Sequence, residues 1–143
     1  MSQDSTALFS ADVRHIDQVL GLTEASPTCF NAFHDDSIET KMNTVGHVMP
    51  YAHAKVIDRE GRTLSIGQRG ELCIAGYQLQ RGYWKNTEKT DEAMVRDESG
   101  VLWLKTGDEA IINEDKTCTI TGRFKDIIIR GKLRILYETA ECG

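Results

Sequence analysis

Thr106-Gly107-Asp108 opens the stretch whose reading decides the fold. The apolar run Ala110-Ile111-Ile112-Asn113 follows, then a turn at Asn113-Glu114-Asp115-Lys116 and a second run from Thr117 to Thr121. Next come Gly122-Arg123-Phe124-Lys125-Asp126 and Ile127-Ile128-Ile129-Arg130-Gly131. Short apolar segments of strand length thus alternate with polar boxes that carry a glycine, the pattern of a hairpin-rich sheet rather than of a helix. Far upstream stands another such box, Gly21-Leu22-Thr23-Glu24.

Working outward, strands are expected at Gly46 to Pro50, Ala54 to Asp58, Glu71 to Gly76 and Val101 to Leu104. Asp58-Arg59-Glu60-Gly61, Gly67-Gln68-Arg69-Gly70 and Asp97-Glu98-Ser99-Gly100 read as turns between them. Asn86 to Met94 reads as a short helix, with Thr87 as its cap and Glu88 in its first turn. Gly70 serves a turn, Leu72 a core position, and Trp84 reads as buried area. Ala7 to Val19 permits a helix with Leu8, Val13, Ile16 and Leu20 roughly on one face. Thr23 to Pro27 reads as a loop, and Phe30 to Lys41 shows no clear period. The expected class is α+β, mostly β, with a small distorted antiparallel β-barrel and flanking short helices.

The 143 residues are 40% hydrophobic and 27% charged, which suits a folded domain with a real core. A net charge of −5 argues against a grip on nucleic acid, which needs clustered cations. No apolar run reaches the roughly 20 residues of a membrane span. Met1-Ser2-Gln3-Asp4 lacks the features of a secretory signal, and Glu141-Cys142-Gly143 is not a peroxisomal address, so an intracellular, cytoplasmic place is expected. Cys29, Cys73, Cys118 and Cys142 have no metal-site spacing and read as small buried or edge residues. His15, His34, His47 and His53 show no ligand spacing either.

Taken as a set, Gly21-Leu22-Thr23-Glu24, Gly70-Glu71-Leu72 with Gly82-Tyr83-Trp84, Thr106-Gly107-Asp108 and Gly122-Arg123-Phe124-Lys125-Asp126 resemble the boxes of the acyl-CoA synthetase, adenylation-domain and luciferase superfamily. The resemblance runs from about Val19 to Gly131. It implies the late part of the large N-terminal domain of an adenylate-forming enzyme, up to its hinge. Residues 1–44 would then end an α/β subdomain, 45–123 form the barrel-like subdomain, and 124–143 hold the hinge and a divergent, truncated tail.

The chemistry so implied is attack of a carboxylate on the α-phosphorus of ATP, then thioester formation with coenzyme A. The resemblance gives Thr23 a phosphate contact and Glu24 a Mg²⁺ ion, a hard oxygen for a hard cation. It gives Asp108 the ribose hydroxyls, which an acceptor-only carboxylate suits. Arg123 would meet ribose or phosphate with its donor fork, and Lys125 would be the hinge. Read alone, Thr23 and Glu24 could equally start a helix, Asp108 could be a turn aspartate, and Arg123 and Lys125 solvated surface residues.

The chain departs from the family in three places. No Ser/Thr/Gly-rich phosphate loop ending in lysine occurs, Leu20 stands where the family stacks an aromatic on adenine, and Lys132 to Gly143 replace the expected acidic glycine turn and small domain. The expectation is therefore a fragment of an acyl-CoA ligase, inactive as a lone chain, whose partners would be nucleotide, a carboxylic acid and a complementing ligase chain. The alternatives are a non-catalytic nucleotide-binding or partner-docking module, or a pseudogene product.

Overall fold

The computed structural model describes residues 19–26 and 28–123 in full, and the backbone of 126–130 and 133–137. The expected helix at Ala7 to Val19 lies almost wholly outside these residues, and the hinge at Lys125 and the thiol of Cys142 lie wholly outside them. The elements are β1 (Val19–Gly21), a single 3-10 turn (Thr23–Ala25), β2 (Thr28–Asn31), α1 (Ile38–Asn43), β3 (His47–Val48), β4 (Ala52–Ile57) and β5 (Arg69–Gly76). After them come α2 (Thr87–Ala93), β6 (Met94–Arg96), β7 (Leu102–Ile112), β8 (Cys118–Arg123), β9 (Asp126–Arg130) and β10 (Leu133–Tyr137). The described residues are mostly β with two short helices, as the sequence leads one to expect.

The strands form an open arrangement rather than a closed barrel. β1, β2 and β3 make one antiparallel sheet, β9 and β10 pair as a hairpin, and the main sheet runs β4-β5-β7-β6 with β8 also on β7. β7 is the organiser. One edge lies along β5, while its first residues pair with β6 and its later ones with β8. The sequence suggests two strands here, at Val101 to Leu104 and at Ala110 to Asn113. The structure joins them through the Thr106-Gly107-Asp108 box.

β5 is central and buried on both faces, which explains its continuous apolar run Leu72-Cys73-Ile74-Ala75. Leu72 and Ile74, fully buried, enter the main core with Phe30, Leu104, Ala110 and Cys118. Each such aliphatic side chain contributes roughly 1.5–3 kcal/mol. Across the other face, Lys55 and Lys105 are the register partners of Cys73, and the Lys55 ammonium lies 4.1 Å from the Trp103 ring centroid. The small sheet is tied to β8 through backbone bonds from Val45 N to Cys118 O (2.8 Å) and from Cys118 N to Gly46 O (2.9 Å).

Cys29, Cys73 and Cys118 are buried free thiols. Desolvation pushes them up to about 11, 12 and 12, so they remain protonated and inert. His47 has a structural place, with Nε2 3.3 Å from Asp36 Oδ1 and its ring stacked on Phe33 at 4.3 Å.

Four local expectations are corrected. Trp84 is 88% exposed, not buried, because the segment that carries it is a surface connection into α2. Gly70 lies within β5 rather than in a turn, and a Cβ there would stand 2.2 Å from Ile57 O, so it permits close strand approach. The cap of α2 is Asn86, whose side chain accepts from Lys89 N at 3.0 Å; Thr87 is the first helical residue. The stretch from Phe30 to Lys41 holds the end of β2 and much of α1, a helix too short to show a period and capped by Ser37.

Candidate functional site

The site begins with a bulge. Between the pairs Glu71↔Glu109 and Cys73↔Lys105, β5 advances two residues while β7 advances four. The two surplus residues fall within the Thr106-Gly107-Asp108 box. Gly107 takes φ +73, a left-handed conformation that L side chains resist, and a Cβ there would meet nothing within 4 Å. Thr106 closes the bulge on itself. Its hydroxyl donates to Leu72 O at 2.9 Å and accepts from Asp108 N at 3.1 Å.

That brace turns Asp108 inward. The Asp108 side chain is only 4% exposed, and Oδ1 accepts from Arg123 Nε at 2.8 Å. Oδ2 is buried and has no hydrogen-bond partner among the described residues. Arg123 is the register partner of Asp108 on β8, yet its own side chain is 64% exposed. Leaving a buried acceptor idle costs roughly 1–3 kcal/mol, so a fold tends to keep one only where something else meets it.

The facing wall comes from the 3-10 turn. Its N-cap residue is Leu22, no side chain caps it, and fully buried Ala25 anchors it. Thr23 is therefore not a helix cap and stands exposed. Glu24 is half-buried and accepts from the Tyr83 hydroxyl at 3.0 Å, while its backbone carbonyl accepts from Gln80 N at 2.8 Å. Burial, and then the hydrogen bond and charge of Glu24, push the Tyr83 phenol up from its ordinary value. Leu20, just before this box, packs against the core.

Between the two walls is an open cavity of about 520 Å³. Leu22, Glu24 and Tyr83 line it on one side, and Thr106, Gly107 and Arg123 on the other. α2 adds Glu92 and β7 adds Lys105. Of the residues expected from sequence, the structure brings Glu24 and Arg123 onto one cavity and holds Asp108 against Arg123. It puts neither Thr23 nor Asp108 on the lining itself. Tyr83 is one lining residue that the sequence reading missed, since a contact across 59 residues leaves no local signal. Its box, Gly82-Tyr83-Trp84, was the available hint.

Among the described residues no three His, Cys, Asp or Glu side chains gather into a metal cage. Mg²⁺ commonly takes one or two carboxylates and fills its shell with water and substrate phosphate, so a single lining carboxylate such as that of Glu24 is compatible with one. Among the described residues, no helix is long and apolar enough to cross a membrane.

Known proteins resemble this chain in sequence and fold. A family model described as AMP-binding enzyme matches residues 2–84. The acyl-CoA ligase sidI of Beauveria bassiana is 69% identical over 111 residues, covering 78% of this chain and 19% of that protein. Among solved structures, a long-chain-fatty-acid-CoA ligase (FadD1) from Archaeoglobus fulgidus superposes with a TM-score of 0.69 at 31% identity, over 75% of this chain and 21% of that one. The amide bond synthetase McbA from Marinactinospora thermotolerans gives a TM-score of 0.69 at 29% identity, over 85% of this chain and 24% of that one. The chain spans about a fifth of the length of the curated relatives it matches.

Proposed function

The chain belongs to the AMP-binding enzyme family, and from that premise we propose that it supplies the nucleotide-facing part of an acyl-CoA ligase. The observation that carries this reading is the buried, unpartnered Oδ2 of Asp108, one hydrogen bond away from the cavity-lining Arg123. A vicinal diol offers the O–H donors that such an acceptor lacks. In this reading Asp108 receives the ribose hydroxyls, and Arg123 adds donors toward ribose or phosphate while holding Asp108 in place. Thr23, exposed beside Glu24, offers a hydroxyl to phosphate. Lys125 keeps the role of hinge.

Glu24 would hold Mg²⁺, which supplies charge neutralisation on the phosphates when bound. The protein's own groups then bind and orient. Gly107 lets the backbone approach the nucleotide without a side chain between them, and the β7 bulge fixes the two oxygens of Asp108. The reaction served is adenylation of a carboxylic acid by ATP, followed by transfer to coenzyme A. Residues 1–44 would end the α/β subdomain, 45–123 form the barrel-like subdomain, and 124–143 hold the hinge and the tail.

The cavity is open, and the phosphate loop of the family is absent from these residues. The chain alone is therefore expected to bind nucleotide without completing the reaction, and a complementing ligase chain would restore it. The test is ATP–pyrophosphate exchange with Mg²⁺ and a pool of fatty and aryl acids. The pure chain should give no exchange, and addition of a polypeptide carrying the remaining four-fifths of a ligase should produce it. Carboxylate-dependent exchange by the pure chain, or equal ATP affinity in wild type and Asp108→Ala, would refute this assignment.

A further inference from the structure

We propose that Tyr83 is a positioning residue for Glu24, holding one carboxylate oxygen so that the other is presented singly to a cation. The proposal rests on the reading of Glu24 as the Mg²⁺ residue. Glu24 sits on a single 3-10 turn, and its carboxylate takes a hydrogen bond from Tyr83, far outside its own segment. An unrestrained glutamate loses rotamer freedom when a ligand orders it. The bond from Tyr83 Oη to Glu24 Oε1, at 3.0 Å, restrains it beforehand.

Tyr83 is itself held. Its backbone N–H donates to Thr90 Oγ1 at 2.9 Å, and that hydroxyl donates to Asn86 O at 2.8 Å. Asn86 N in turn donates to Tyr83 O at 3.2 Å, and the Asn86 side chain caps α2. The segment is tethered a second time to the same turn by Gln80 N on Glu24 O, at 2.8 Å. A phenol bond between surface segments would need none of this. An arm fixed to a helix at one end and to both the backbone and the side chain of Glu24 at the other suits a device that sets a carboxylate.

The two roles separate in calorimetry of ATP binding to the whole chain, once with Mg²⁺ and once with EDTA. The quantity read is the gain in affinity that Mg²⁺ confers. Tyr83→Phe is expected to cut this gain about tenfold, the size of one charge-assisted hydrogen bond, while the EDTA affinity moves far less. Thr90→Val, which loosens the arm but keeps the phenol, should reduce the gain in the same direction by less. Glu24→Gln should abolish it, and adding Tyr83→Phe should then change nothing further. If Glu24→Gln abolishes the gain and Tyr83→Phe leaves it whole, whatever happens to Tm, Tyr83 is only a structural contact and the proposal fails alone. If Glu24→Gln leaves the gain intact, the Mg²⁺ reading of Glu24 fails and the positioning role falls with it.

Discussion

Asp97 and Asp108 serve the same strand in opposite ways. Asp97, in the turn before β7, is met on all sides. Its Oδ1 accepts from Ser99 N (3.0 Å), Ser99 Oγ (2.6 Å) and Val101 N (3.0 Å), and its Oδ2 from Trp103 Nε1 (2.7 Å). Asp58 closes its own turn in the same manner on Glu60 N and on Arg62 N and Nε. Asp108 is buried and, among the described residues, has Arg123 as its one side-chain partner, with Oδ2 idle. A carboxylate that builds a turn satisfies itself within a few residues. One that is kept dry and half-satisfied by a braced bulge fits the ribose-acceptor role proposed for Asp108.

The strongest way to break this contrast is Asp108→Ala. ATP affinity should fall about thirtyfold, the equivalent of about 2 kcal/mol of lost charge-assisted bonding. Thermal stability should hold or rise, because the idle buried oxygen leaves and exposed Arg123 keeps its water. A large drop in Tm would make Asp108 a structural residue like Asp97. Thr106→Val comes next. It removes the two bonds that close the bulge and should cost about 2 kcal/mol in denaturant unfolding, with Thr106→Ser restoring most of it. Equal stability in all three would show that the brace is idle.

Gly107→Ala should cost less, about 1 kcal/mol, since its Cβ meets open space and only the left-handed backbone is strained. A much larger loss in chemical denaturation would mean that the bulge cannot relax at all. The finest test uses pH on Asp97. Bonds from Ser99 and then Trp103 hold its carboxyl down to about 2, against an unfolded value of about 3.9. Because the folded value is depressed, the turn's contribution is whole above about pH 4 and is lost as pH falls through about 2. Trp103 fluorescence, read in a Trp84→Phe background, should titrate in that window, and Asp97→Asn should flatten the curve. A midpoint near 4 would show that these bonds do not favour the charged form.

Much of the sheet was legible because its signals are local. Leu72 and Ile74 alternate toward the core, Asn113 to Lys116 supply a turn, and the residues from Asn86 to Ala93 carry a cap and a first-turn acid. The resemblance brought Glu24, Asp108 and Arg123 to notice before any geometry, and the structure joins Asp108 to Arg123. Contacts with no sequence trace were out of reach. Tyr83 finds Glu24 only because the chain folds back across 59 residues. Trp84 misleads because aromatic area is usually buried, and here the neighbour Tyr83 faces the cavity instead. The union of two apolar runs into β7 was hidden because Gly107 reads as a strand break in sequence and acts as a bulge within one strand.

That bulge also sets a rule for variation in length. A strand has a reading frame of two, in which alternate residues face in. Leu104 before the bulge and Ala110 after it both enter the same core, so the surplus residues leave the frame intact across the box. Removing Gly107 alone would shift it by one and turn the outward side chains of Glu109 and Ile111 toward the core, with Ala110 toward water. Removing two residues would keep inside inside and sacrifice only the site. At this point of the chain, length can change without unfolding the sheet in even steps, and an odd step inverts half a strand.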